Sequence, residues 1–203
     1  MASVVWLKWL TSPNPMLTML SAKQVIRPAL ITASLLLVPL VAMQFTHEVK
    51  WTLLDFATMG TLLFGTGLAY EWLASQGGNL AYRLGAGAAL GTGLLLVWVN
   101  LAVGLIGSEH NPFNLLYSGV LAVALGGALL ARFQPRGLVR TLGTTALAQA
   151  LVAVVALLVG PAGTDEAFAP GQVLGVNAFF VGLWLGAALL FWRATSTRPA
   201  AAQ

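Results

Sequence analysis

The chain has 203 residues, 58% of them hydrophobic and only 8% charged, with a formal net charge of +4 and a mean hydropathy of +0.84. A soluble domain carries about a quarter charged residues, so this composition excludes an ordinary water-soluble globule. The absence of cysteine excludes disulfides, thiolate metal sites and cysteine nucleophiles.

The apolar residues fall into runs near the ~20 residues needed to cross a bilayer. Residues 1–25 come first, as a cytoplasmic or interfacial segment. Trp6 and Trp9 flank Lys8, and Pro13 and Pro15 end the stretch. It has neither the basic start nor the continuous apolar core of a cleavable signal. The first span is predicted at about 28–46, with Pro39 inside it. The second covers about 52–74, with Asp55 near its start and Glu71 near its end. The third runs from Arg83 toward Gly107 and carries Trp98 and Asn100 past its middle. Asn111 then Pro112 reads as an N-cap followed by a first helical residue, opening a fourth span that ends near Ala131. A basic joint holds Arg132, Pro135, Arg136, Gly137 and Arg140, before a fifth span at about 141–160. Pro161, Asp165, Glu166 and Pro170 precede a sixth at about 174–192, and residues 194–203 form a tail. The fold class is therefore all-α integral membrane, with six transmembrane helices over 26–193 arranged as three antiparallel hairpins.

Basic residues mark the cytoplasmic side of a membrane protein. Lys8, Lys23, Arg27, Arg83, Arg132, Arg136, Arg140, Arg193 and Arg198 share one side of a six-span chain, and only Lys50 falls opposite. Both termini are thus expected in the cytoplasm of a cell with a bacterial-type inner membrane. The partners expected are the lipid bilayer and other membrane proteins. No nucleic acid is expected, because the pI of about 10.0 reflects scarce acids rather than a basic patch.

The spacing carries a trace of an internal repeat. Arg83 stands 26 positions before Glu109, and Arg140 stands 26 before Glu166. Asp55, Asn114 and Asn177 each precede a glycine by five positions, at Gly60, Gly119 and Gly182. Three like hairpins around a pseudo-threefold axis would produce this pattern. Two GxxxG pairs, Gly87 with Gly91 and Gly182 with Gly186, are expected to let helix backbones approach closely, either within the chain or between copies of it.

An ionisable residue inside a span is a functional candidate. Asp55 is the sharpest, with Glu48 beside it, as a proton or cation site. Its structural alternative is an N-terminal cap, a carboxylate at the positive end of a helix dipole. Asn100 and Gln149 could line a polar path, or form interhelical hydrogen bonds. His47 and His110, next to Glu48 and Glu109, have the donor types zinc accepts but no local ligand spacing, so neither a metal nor a cofactor is expected. No nucleophile–base pair, HExxH or phosphate loop is present. The sequence points to a non-enzymatic accessory or scaffold protein of a membrane assembly. The alternative is a small-solute or ion/proton-coupled transporter or channel using Asp55, Asn100 and Gln149.

Overall fold

Six helices long and apolar enough to cross a membrane make up nearly all of the described chain. In the computed structural model the helices are α1 (Ala22–Phe45), α2 (Leu53–Gln76), α3 (Leu80–Ala102), α4 (Leu116–Leu130), α5 (Pro135–Val159) and α6 (Pro170–Ser196), with a 3-10 turn, Pro112–Leu115, that joins α4 to make up the fourth of the six, Pro112–Leu130. The structure describes residues 21–77, 79–107, 111–159 and 169–196. Trp6, Trp9, Glu109, His110, Asp165, Glu166 and the tail beyond Ser196 lie outside them.

The helix ends depart from the predicted span ends for a physical reason. Apolar runs report where the lipid is, whereas a helix stops where its caps and turns are. The predicted third span runs on toward Gly107, but α3 stops at Ala102 because Gly104 (φ 69°) and Gly107 (φ 67°) take left-handed backbone that glycine alone enters freely. The basic joint before the fifth span shrinks to a tight turn. Arg132 (φ 48°) and Phe133 (φ 55°) reverse the chain. Pro135 then opens α5, a position where its missing N–H is no loss. Arg136, Gly137 and Arg140 therefore lie on α5 itself. Asn111 does cap the turn before α4: its Oδ1 accepts from Phe113 N at 3.0 Å, with Pro112 next in line.

Contacts divide the chain into two units, the first ending at Gly60 and the second beginning at Thr61, within α2. In the first, α1 runs through Pro28 and Pro39 without a break. In the second, consecutive helices pack together, α4 on α5 and α5 on α6, and α6 is the central element because α3 also packs along it. By contrast, α3 and α4 touch at few places.

The buried face of α6 explains this arrangement. Val173, Asn177, Phe180, Trp184, Ala187, Phe191 and Ala194 are all buried. They alternate in steps of four and three, the seam spacing of a left-handed helix pair. Close approach is set by glycines outside the predicted pairs. A Cβ at Gly85 would lie 3.1–3.2 Å from the Phe191 ring, and one at Gly127 would lie 2.6 Å from Thr141 Cγ2. A Cβ at Gly91, Gly182 or Gly186 would meet no atom within 4 Å, and one at Gly87 only the Tyr70 ring. The Gly182–Gly186 pair is thus on the exposed side of α6, and intramolecular packing runs through the opposite seam. Large apolar side chains are exposed on every helix, among them Leu30, Leu53, Leu84, Leu125, Leu151 and Phe179. Such a surface is stable only against lipid or other membrane helices.

Candidate functional site

Three helices converge on a buried cluster of uncharged polar side chains. Asn177, seven positions into α6, is 1% exposed, and Gln149 of α5 is fully buried. Gln149 Nε2 donates to Asn177 Oδ1 at 2.8 Å. The Tyr117 hydroxyl, from the first turn of α4, lies 3.0 Å from Asn177 Nδ2 and 3.2 Å from Oδ1. Asn177 Nδ2 also donates back to Val173 O at 2.8 Å. One amide therefore ties α4, α5 and α6 together. Inside a bilayer such bonds are worth about 1 kcal/mol or less each, but a buried amide without them is worse off.

A second cluster fixes the loop between α3 and α4. Asn114 Oδ1 accepts from both Leu105 N and Ile106 N at 3.0 Å, and its Nδ2 donates to Ile106 O at 3.4 Å. Asn100 Nδ2 reaches Asn114 O at 3.3 Å. At the opposite end of α3, Asn79 accepts from Tyr82 N at 2.8 Å and donates to Ala194 O at 3.0 Å. The Tyr82 hydroxyl donates to Phe133 O at 2.9 Å, and its ring meets Phe191 edge-on with centroids 5.1 Å apart. Trp72 of α2 stands edge-on to Phe133 at 4.8 Å.

The predicted site residues are found in separate settings. Asp55 is exposed at the start of α2. Its Oδ2 accepts from Thr52 N at 2.7 Å and from the Thr52 hydroxyl at 2.8 Å, while Asp55 N approaches Thr52 Oγ1 at 3.3 Å. That is the reciprocal pattern of a capping box. Glu48 is exposed, with its backbone N–H on Thr46 Oγ1 at 3.1 Å. Asn100 belongs to the α3–α4 loop cluster and Gln149 to the Asn177 cluster. No hydrogen bond joins them to each other among the described residues. His47 is exposed, and no group of metal-binding side chains occurs among the described residues. Three buried polar atoms have no partner there: Asn100 Oδ1, Gln149 Oε1 and Trp184 Nε1.

Sequence reasoning missed Asn177 and Tyr117 as interior groups. Asn177 looks like a span-opening residue if the sixth span begins at 174, but α6 begins at Pro170. The Asn177 amide within an otherwise apolar helix was the available signal. Tyr117 offered none, since tyrosine is also a common interfacial residue. No protein-family model matches the chain, and neither a curated protein nor a solved structure resembles it.

Proposed function

We propose that this multi-pass membrane protein is a non-enzymatic accessory or scaffold component of a membrane assembly. The observation that supports this most is the Tyr117–Asn177–Gln149 cluster. The most deeply buried polar groups bond to one another across three helices, which suits a fixed frame better than a solvated path. The exposed glycines of α6, Gly171, Gly175, Gly182 and Gly186, have open space beyond their Cα atoms. They offer a face that another membrane helix can approach closely. The three-hairpin repeat belongs to the same reading and rests on spacing, because Asp55, Asn114 and Asn177 do unrelated work.

The transporter reading draws on the unpartnered acceptors Asn100 Oδ1 and Gln149 Oε1, which a passing donor could engage. Two measurements separate the two functions. Purification in mild detergent should yield fixed membrane-protein companions in constant ratio. Proteoliposomes of the isolated protein should show no ion or proton flux above empty vesicles. Flux that is abolished by Asp55→Asn in a protein that still folds would establish the transporter, since asparagine caps a helix about as well as aspartate.

The proposal includes an inner-membrane location with both termini in the cytoplasm, on the strength of the basic-residue segregation. Reporter fusions after Gln203 and after Gly107 should report opposite sides of the membrane. The same side for both would defeat the orientation and the span count together.

A further inference from the structure

The wide gap between α3 and α4 is a cavity of about 310 Å³, and its walls differ in character. The facing sides carry small residues one turn apart, Ala89 and Gly93 on α3 and Ala124 and Ala128 on α4. Small residues at this spacing usually bring two membrane helices into contact. Here the helices stay apart, and the missing side chains leave an open slot. Trp184 and Phe191 of α6 form its back wall, and the stretch of α2 from Leu62 to Leu73 runs along it. Apart from Thr66, Thr141 and the indole of Trp184, the described lining is apolar.

Shape and depth identify the occupant. At ~1.5 Å per residue, the α2 stretch from Leu62 to Leu73 runs about 16 Å along the slot, whose volume is about 310 Å³. A helix ~10 Å across needs more than about 1,000 Å³ over that length, so the slot takes a thin apolar chain and not a further helix. The volume is also at the lower end of the ~300–1,000 Å³ of ligand sites. Every lining element but the Phe133 turn belongs to a membrane-spanning helix, so the surrounding solution of candidate ligands is the bilayer itself. An apolar slot left empty in lipid forfeits dispersion contacts along its whole lining. We propose that this cavity is a binding site for a single acyl chain of a membrane lipid, held between α3 and α4 against Trp184.

The test uses the full chain in vesicles of a phosphatidylcholine that carries a photoactivatable diazirine midway along one acyl chain. After illumination, labelled residues are mapped by mass spectrometry. Trp184 and Phe180 lie on the same buried face of α6, but only Trp184 lines the cavity. Label on the half-buried lining residues Leu94 and Val97, and on Trp184 behind them, should exceed label on Phe180 several-fold. The variant Gly93→Leu places its side chain between Leu121 and Trp184, whose nearest atoms are each 3.8 Å from the Cβ position. It should lose the Trp184 label while the lipid-facing Leu147 and Leu151 keep theirs. Equal label on Trp184 and Phe180 in the wild-type protein would overturn the proposal and leave a packing void only. That comparison needs no variant, so it stands even if Gly93→Leu fails to fold. A Trp184 label that survives in a folded Gly93→Leu protein would overturn it as well.

Discussion

Asn177→Leu should lower stability by about 2–4 kcal/mol, because it strands more than one buried group. Gln149 Nε2 loses its acceptor, 2.8 Å away. Gln149 Oε1 is already without a partner, so the whole amide would be unsatisfied in a fully buried position. The Tyr117 hydroxyl loses its contact with the Asn177 amide at the same time. For a chain of this size, ~1 kcal/mol shifts the melting temperature by about 2–4 °C, so a fall on the order of 5–15 °C in detergent is expected. Tyr117→Phe should fall by much less, about 1 kcal/mol, since Asn177 retains Gln149 and Val173 O. The decisive measurement is the cycle with Gln149→Leu. Removing both amides replaces two stranded polar groups by apolar ones, which is often nearly neutral. The double variant should therefore be more stable than the sum of the single effects predicts. Strict additivity would mean that the two amides are not coupled, and the cluster would lose its role as the tie between α5 and α6.

Gly127→Leu and Gly186→Leu should behave in opposite ways although both glycines lie in apolar helices. At Gly127 even a methyl group would stand 2.6 Å from Thr141 Cγ2 and 2.9 Å from its Oγ1. Thr141 is buried, and a β-branched side chain in a helix has few rotamers to retreat into. Leucine there should force α4 from α5 and destabilise by about 1–3 kcal/mol or more. At Gly186 a side chain meets open space, and leucine is a better helix former than glycine by nearly 1 kcal/mol. The melting temperature of the isolated Gly186→Leu protein should be unchanged or slightly raised. The same substitution should disrupt co-purification if a companion helix packs on this face of α6. Thermal denaturation of both variants in one detergent checks the contrast. An equal loss at both positions would show that the exposed glycine face is engaged inside the chain after all.

The sequence by itself determined the all-α class and the six apolar runs long enough to cross a membrane. Runs of apolar residues longer than a bilayer is thick have one stable solution, a helix whose backbone polar groups are satisfied internally, and all six are present. Local chemistry was equally legible where it was self-contained. Asn111 with Pro112 starts the turn before α4, and the carboxylate of Asp55 works within its own first turn. Which side of each helix faces inward was decided only by the tertiary structure. In a soluble protein the exposed face is polar, and periodicity reveals the core. Here the outer face meets lipid and is as apolar as the inner one, so the four-and-three seam of α6 from Val173 to Ala194 is invisible against Leu174, Phe179 and Leu185 on the exposed side. The same degeneracy hides which glycines pack. Gly127 and Gly186 sit in similar sequence, and only the presence of Thr141 opposite one of them and open space opposite the other sets them apart.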